Sequence, residues 1–238
     1  MILSLLKIFL IGVAAIPFSI VALISIPLDK SGRTFHLMGT TWGRFGLWLF
    51  GVKVELVGAE YIQPGQNYIY VSNHASMFDI PAVQSAIPDQ IRIMLKKELT
   101  YVPIWGWALK YGPYIVVDRA NAKEAVKSLD LAAERMRTGA SVLLFAEGTR
   151  TRDGKLQPFK RGAFTLAVRS GVPIIPVAIN NTFAIMKRGS LKVYPRDITL
   201  VLDKPVETAH IKTREEEKEL MDYVHRIIEK NYVDQSQG

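Results

Sequence analysis

The stretch SNHASMFDIP, residues 72–81, places a histidine and an aspartate five positions apart, at His74 and Asp79. It follows the apolar run YIYVS, which predicts a strand. On a continuous helix the two side chains would lie about 140° apart, so their cooperation requires a turn between them. An aspartate that accepts the Nδ1 proton of an imidazole fixes the tautomer and leaves Nε2 free to take a proton from a hydroxyl group. The pair therefore indicates a general base, although an isolated pair of this spacing is also typical of a structural histidine at a strand end.

Other chemistries for this stretch have weaker support. A histidine base needs no nucleophilic serine, and the sequence has no G-x-S-x-G elbow, but Ser72 and Ser76 are close enough to remain candidates. The sequence has four histidines, no cysteine and no H-E-x-x-H motif, so no metal site is predicted.

A second stretch that could bind a ligand is FAEGTRTRDGK, residues 145–155, which follows the predicted strand SVLLF. In open α/β sheets, ligands bind at the carboxyl ends of the strands. Arg150 can hold a phosphate through two parallel hydrogen bonds, and Gly148 allows a close approach of the backbone. Glu147 can either anchor the arginine or contact a substrate hydroxyl. Taken alone, the stretch is also typical of a solvated turn with an incidental Glu–Arg pair.

The third stretch is LKKELTYVPIWGWALKYGPYIVVDR, residues 95–119. It begins with Lys96 and Lys97, and it ends with Arg119 after a predicted strand. Lysines beside the tryptophans of this stretch are suited to phosphate binding or to docking on a membrane surface. For Lys97 the alternative is a solvated loop.

These stretches need a scaffold that brings strand ends together, and the rest of the chain predicts one. Short runs rich in valine and isoleucine alternate with helical patterns, which is typical of a mainly parallel sheet wrapped by helices. The predicted strands cover residues 52–58, 68–72, 91–95, 114–118, 141–146 and 173–179, with two more between Leu191 and Pro205. The predicted helices cover residues 122–139, 160–171 and 213–232. We therefore expect an α/β domain over residues 51–238, with a mostly parallel central sheet flanked by helices.

Residues 1–50 form a separate N-terminal segment in this prediction. Residues 1–28 carry a single charge, Lys7, and exceed the roughly 20 apolar residues that a helix needs to cross a bilayer. A cleaved signal peptide is disfavoured because no A-x-A site follows the run. Residues 34–50 are mostly apolar, with tryptophans and arginines that suit a helix at the level of lipid headgroups. We expect a membrane-embedded hairpin of two helices, spanning or re-entrant, in preference to a single span or a buried core helix.

The composition excludes several classes of protein. The 238 residues carry a formal net charge of +8 and are 49% hydrophobic, which excludes a disordered chain. The absence of cysteine excludes a disulfide scaffold and a cysteine nucleophile. The basic excess implies an anionic partner, such as a phosphate or an acidic lipid surface. A nucleic-acid partner is not predicted, because the sequence shows no recognisable reading element.

Four short motifs occur in a fixed order along the chain. They are N-H-x-x-x-x-D at residues 73–79, K-x-E-L…P-x-x-G at 96–106, F-x-E-G-T-R at 145–150 and V-P-I-I-P-V at 172–177. In this order and spacing they resemble the motifs of the glycerolipid acyltransferases. Within that group the sequence is most similar to the 1-acylglycerol-3-phosphate (lysophosphatidic acid) acyltransferases, and no motif position departs from the pattern.

The resemblance implies an enzyme that moves a fatty acyl group from acyl-CoA or acyl-carrier protein to the 2-hydroxyl of 1-acylglycerol 3-phosphate, giving phosphatidic acid for phospholipid biosynthesis. His74, oriented by Asp79, would deprotonate the hydroxyl, and its oxygen would attack the thioester directly. Lys96, Arg119 and Arg150 would bind the phosphate. The resemblance also places Glu147, Gly148 and Thr149 in the substrate-binding pocket. No cofactor is expected beyond the acyl-thioester co-substrate.

Two alternatives stay open at this point. One is a sister acyltransferase whose acceptor is glycerol 3-phosphate or another lysophospholipid. The other is a catalytically silent membrane protein that binds lipid as a scaffold. The sequence also leaves open the acyl donor and the acyl-chain length. The expected location is a membrane, with the catalytic domain on the cytoplasmic face and its basic loops near an anionic lipid surface.

Overall fold

The structure, a computed structural model, describes residues 2–118, 122–137 and 139–233. Its strands are β1 (Val54–Val57), β2 (Ile69–Ser72), β3 (Ile91–Lys96), β4 (Ile115–Val117), β5 (Ser141–Phe145), β6 (Ile174–Asn180) and β7 (Ile198–Leu202). Its α-helices are α1 (Ile2–Leu28), α2 (Arg33–Phe50), α3 (Asp79–Ala86), α4 (Trp105–Tyr111), α5 (Ala122–Arg137), α6 (Gly162–Ser170), α7 (Thr182–Ile185) and α8 (Arg214–Asn231). Two 3₁₀ helices cover Ala59–Tyr61 and Lys97–Tyr101.

The strands form one sheet in the order β1-β7-β6-β2-β5-β3-β4. The five strands from β6 to β4 run parallel to one another. At the other edge β7 runs antiparallel to β6, and β1 runs parallel to β7. The predicted α/β class with a mostly parallel sheet is confirmed. The carboxyl ends of β2, β5 and β3 lie at one edge of the sheet, and each leads into one of the three stretches singled out above.

Helices cover both faces of the sheet, and β5 shows how the sequence achieves this. Leu143 belongs to the core that includes residues of α2 and α3. Its neighbours Val142 and Leu144 belong to the core formed with α5, α6 and α8. Successive side chains of a strand point to opposite faces, so a strand buried on both sides has a continuous apolar run. That is why the central strands could be predicted from the sequence.

Two helices form in the N-terminal segment, and they differ in character. Of the described helices, α1 alone is long and apolar enough to cross a membrane by length and composition. Its residues Ile2 and Phe9 are 82% and 65% exposed. Helix α2 instead buries Phe35, Leu47 and Phe50 in cores that it shares with the sheet and its helices. The segment therefore packs directly on the α/β fold.

The prediction of two strands between Leu191 and Pro205 is wrong in one of them. Between Leu191 and Pro205 the structure has a single strand, β7. The preceding residues contain Pro195, which has no N–H to donate to a sheet ladder. The main-chain N–H of Tyr194 instead donates to the carbonyl of Ile185, at 2.9 Å. The backbone before β7 thus pairs with the end of α7 and not with the sheet.

Candidate active site

His74 and Asp79 are in direct contact. The Nδ1 atom of His74 lies 2.6 Å from Oδ2 of Asp79, whose side chain is fully buried. The same oxygen accepts the main-chain N–H groups of Ala75 and Ser76, at 2.8 and 2.9 Å. Because Oδ2 is thus an acceptor, the proton in the imidazole contact belongs to Nδ1, which leaves a lone pair on Nε2.

The turn between the two residues is held by buried polar side chains. The amide of Asn73 donates to the carbonyl of Ile179 and accepts from its N–H, which joins the turn to β6. Both serines that were kept as candidate nucleophiles are buried and donate to main-chain carbonyls, Ser72 to Asn73 and Ser76 to Met186. In this arrangement their hydroxyl groups support the turn.

The loop after β5 holds the peptide groups of His74 on both sides. The Oε1 atom of Glu147 accepts the main-chain N–H of His74 at 2.8 Å. The carbonyl of His74 accepts the N–H of Thr151 at 2.9 Å. The ring of Phe145 stacks on the imidazole with a centroid distance of 3.9 Å. The orientation of the imidazole therefore depends on β5 and its loop as well as on Asp79.

Glu147 is an unusual carboxyl group in this loop. It is buried, and burial together with the nearby charge of Asp79 raises its pKa from 4.5 to about 8, although the hydrogen bond from His74 opposes the shift. It does not lie on the wall of the adjacent cavity, unlike Gly148, Thr149 and Arg150. The geometry thus gives Glu147 a contact with the His74 backbone and none with the cavity.

Replacing the Glu147 carboxyl group by an amide is expected to change how the free energy of unfolding depends on pH. Between about pH 4.5 and 8 the native state holds a proton on Glu147 that the unfolded chain has lost, so the free energy of unfolding falls as pH rises. Glu147→Gln cannot titrate, and we expect a shallower fall across this window. Urea unfolding at pH 5 and pH 8 measures the difference, with exposed Glu219→Gln as the control. Equal slopes in wild type and Glu147→Gln would contradict the assignment.

A cavity of about 600 Å³ opens at His74. Its walls are mainly apolar and come from α1, α2, α3, α4 and β3. Three basic residues, together called the cationic rim, also line this cavity: Lys96, Arg150 and Arg188. The site therefore combines a histidine–aspartate pair, a mainly apolar cavity and a cationic rim.

The remaining predicted site residues have distinct settings. Lys96 lines the cavity, and its Nζ atom pairs with Glu98 at 2.8 Å, with both side chains about half exposed. Gly148 has a φ of +71°, a conformation that favours glycine, and a Cβ there would lie 2.9 Å from the Lys160 side chain. Arg119 lies outside the described residues.

The motif K-x-E-L…P-x-x-G, residues 96–106, has a local packing role as well. A Cβ on Gly106 would lie 2.6 Å from the carbonyl oxygen of Leu99, so α4 can approach the preceding 3₁₀ helix only with glycine there. Ile104 has a φ of +63°, which is rare for a β-branched residue. This sharp connection brings Trp105 to the cavity wall.

Sequence reasoning missed several residues of the site. Phe145 lies inside the F-x-E-G-T-R motif, but nothing in its spacing indicated a stack on His74. Arg188 lies beyond the last motif and carried no signal other than its charge. The cavity walls from α1 and α2 were assigned to the membrane segment alone. Among the described residues, no group of three or more His, Cys, Asp or Glu side chains could hold a metal ion.

The fold and the site together define a class of enzyme. A histidine–carboxylate pair lies at the strand ends of an α/β sheet, where it can activate a hydroxyl group beside an apolar cavity with a basic rim. A family model described as Acyltransferase matches residues 53–180. This range includes the strands from β2 to β6 and the loops that carry His74, Asp79 and Arg150. The chain belongs to this acyltransferase family, which confirms the resemblance drawn from its motifs.

Individual relatives agree with the family. The chain is 31% identical over 224 residues to a 1-acyl-sn-glycerol-3-phosphate acyltransferase of Cocos nucifera, covering 93% of this chain and 70% of that protein. It is 37% identical over 135 residues to 1-acyl-sn-glycerol-3-phosphate acyltransferase alpha of Mus musculus, covering 56% and 47%. The crystal structure of the 1-acyl-sn-glycerophosphate (LPA) acyltransferase PlsC from Thermotoga maritima superposes with a TM-score of 0.82 at 26% identity, covering 97% and 93% of the two chains.

Proposed function

We propose that this chain transfers a fatty acyl group from an acyl thioester to the 2-hydroxyl of 1-acylglycerol 3-phosphate (lysophosphatidic acid), giving phosphatidic acid. The observation that carries the proposal is the His74–Asp79 contact at 2.6 Å, beside both an apolar cavity and a cationic rim. Lysophosphatidic acid has a hydroxyl for the base to activate, an acyl chain that suits an apolar cavity and a phosphate that suits the cations. The names of the relatives support the same acceptor.

In the proposed reaction, Nε2 of His74 takes the proton of the 2-hydroxyl as its oxygen attacks the thioester carbonyl. The buried carboxylate of Asp79 stabilises the imidazolium that forms. The tetrahedral intermediate then expels the thiolate, which leaves as the free thiol after protonation by the imidazolium. The carbon–sulfur bond breaks as the new ester bond forms, and no acyl-enzyme is needed. The donor is either acyl-CoA or acyl-carrier protein, and no cofactor takes part.

We assign the apolar cavity to a fatty acyl chain. The cavity wall includes β3 from Ile93 to Lys96, a length of about 10 Å at the usual rise of a strand. It also includes α3 from Ile80 to Gln84, which leads away from Asp79 at the start of that helix. A chain that enters beside His74 can therefore extend away from the reacting groups among apolar side chains.

A larger residue at Gly39 is expected to shorten the acyl chain that the cavity accepts. A Cβ at Gly39 would lie 3.0 Å from the Tyr114 hydroxyl and 3.4 Å from the amide nitrogen of Gln84, so valine has no free space there except the cavity itself. We expect Gly39→Val to lower the rate with the longest accepted donor on the order of tenfold relative to a shorter one. A series of acyl chain lengths measures this. Gly12→Val is the control, because nothing lies within 4 Å of that position, and an unchanged profile for Gly39→Val would contradict the assignment.

We propose that the protein works at a membrane surface, which is where its lipid acceptor resides. Helix α1 supports this, since its large apolar residues are widely exposed. Trp107 and Tyr111 of α4, which packs beside α1, are also half exposed or more, as is typical of side chains at a membrane interface. Lys30, between α1 and α2, and Arg33, the first residue of α2, favour a cytoplasmic catalytic domain by the positive-inside rule.

Charges on the exposed face of α1 are expected to release the protein from lipid. We expect the triple variant Leu6→Glu, Phe9→Glu, Val13→Glu to lose most of its binding to vesicles, because each change removes exposed apolar area and adds a charge that anionic lipid repels. Flotation with vesicles that contain phosphatidylglycerol measures the loss. Tyr223→Glu, on the exposed side of α8, is the matched control. Unchanged flotation of the triple variant would refute α1 as the anchor.

The acceptor is tested with a panel in detergent micelles. Wild type is given lysophosphatidic acid, glycerol 3-phosphate, lysophosphatidylcholine or monoacylglycerol, each with acyl-CoA or acyl-carrier protein thioester. We expect phosphatidic acid from lysophosphatidic acid to be the main product. A higher kcat/KM with another acceptor would favour the sister activity, and no product with any pair would favour the scaffold.

A further inference from the structure

A short segment between α7 and β7 connects the two loops that build the active site. The carbonyl of Met186 accepts a hydrogen bond from the Ser76 hydroxyl, at 2.9 Å, in the turn that carries His74. Two residues later, Nη1 of Arg188 donates to the carbonyl of Arg150, at 3.2 Å, in the loop after β5. Arg188 thereby lies on the wall of the cavity that opens at His74.

The charge of Arg188 is available to a ligand. Its side chain is exposed, and neither Arg188 nor Arg150 forms an ion pair with another of the described residues. Lys96, the third cation on the rim, already pairs with Glu98. A guanidinium has five N–H donors, so the single bond to the Arg150 carbonyl leaves Arg188 most of its donors. Arg188 and Arg150 both line the cavity that His74 lines, and guanidinium groups bind phosphate oxygens through paired, charge-assisted hydrogen bonds.

We infer that Arg188 is a further phosphate-binding residue, which acts together with Arg150 on the phosphate of the acyl acceptor. This inference rests on the proposed function, because it concerns the acceptor of that reaction. No motif includes Arg188, and its role follows from its place on the rim of the cavity.

The acceptor phosphate fits this position better than the phosphates of an acyl donor. In lysophosphatidic acid the carbon that bears the reacting hydroxyl is bonded directly to the carbon that bears the phosphate ester. When the hydroxyl lies at Nε2 of His74, the phosphate must therefore lie close to that imidazole. In acyl-CoA a long pantetheine arm separates the thioester from the phosphates. A cation that lines the same cavity as His74 is thus placed for the acceptor.

The test separates substrate binding from loop support. In Arg188→Gln we expect the KM for lysophosphatidic acid to rise about tenfold, the loss of roughly one charge-assisted hydrogen bond, with kcat and the KM for the donor changed less than about twofold. Arg188→Lys should recover part of the affinity, because it keeps the charge but not the planar fork. Arg226→Gln on α8 removes the same charge from an exposed position outside the cavity and should leave all three constants unchanged.

Two results in Arg188→Gln would overturn the inference. One is an unchanged KM for lysophosphatidic acid, and if kcat falls at the same time, Arg188 only supports the Arg150 loop. The other is a rise in the KM for the donor that equals the rise for the acceptor. Equilibrium binding of lysophosphatidic acid to protein in micelles keeps the test independent of turnover. If wild type binds this lipid without acylating it, the proposed function fails. The binding of the lipid phosphate by Arg188 then still stands if Arg188→Gln binds the lipid about tenfold more weakly, and falls if it binds the lipid equally well.

Discussion

Replacing His74 by alanine is expected to lower kcat for phosphatidic acid formation by about 10²–10⁴-fold, the usual contribution of a positioned base. His74 lines the cavity, and Asp79 holds its Nδ1 atom, so Nε2 is the nitrogen that remains to take the proton of the hydroxyl. The KM for the acceptor should change little, because the phosphate and the acyl chain have other contacts. Initial rates with saturating donor measure both constants.

A second histidine provides the control for this change. His225 of α8 packs edge-on against Phe159, with ring centroids 4.7 Å apart, and does not line the cavity. His225→Ala removes the same imidazole and should keep kcat within about twofold. A loss of less than about tenfold in His74→Ala would argue against the base.

Replacing Asp79 by asparagine is expected to lower kcat on the order of 10²–10⁴-fold. The amide nearly preserves the shape of the carboxylate but removes the negative charge that stabilises the imidazolium during proton transfer. It also presents N–H donors in a pocket where one oxygen accepts hydrogen bonds from His74, Ala75 and Ser76. The wrong tautomer of His74 is then favoured, with its proton on Nε2. The measurement is again kcat, accompanied by a thermal unfolding scan.

The matched control is Asp130→Asn, in which the same substitution falls on an exposed carboxylate that pairs with Arg169 on the surface. We expect wild-type kcat in that variant. If Asp79→Asn stayed folded and retained more than about a tenth of wild-type kcat, Asp79 would not be the residue that orients His74 and stabilises its imidazolium.

The positions of the strands that are buried on both faces were predicted most accurately from the sequence. The strands β2, β5 and β6 are buried and mostly apolar because both faces are covered, and their predicted positions agree with the structure to within one or two residues. Short helices gave no such signal. Helix α3 has eight residues and α4 has seven, which is too short for a helical period to be recognised. The partners that fix these helices are distant in sequence, as Pro81 facing Gly43 of α2 illustrates.

The candidate site was predicted in part, for a similar reason. The spacing of His74 and Asp79 indicated that a turn could join them, and the structure has that turn. Spacing could not indicate that Glu147 bonds to the His74 backbone, since 73 positions separate the two residues. It could not reveal the cavity either, because its walls come from helices at the N-terminus and strands at the centre of the chain. Contacts between distant segments depend on the fold, which local patterns do not encode.

The most direct test of the central claim follows both products of a single reaction. Purified protein in micelles receives labelled lysophosphatidic acid and an acyl thioester, and released thiol and phosphatidic acid are measured over time in wild type and His74→Ala. We predict equal molar amounts of thiol and phosphatidic acid from wild type, and almost none of either from His74→Ala. Wild type that binds the lipid but releases no thiol with any donor would contradict the account and favour a lipid-binding scaffold.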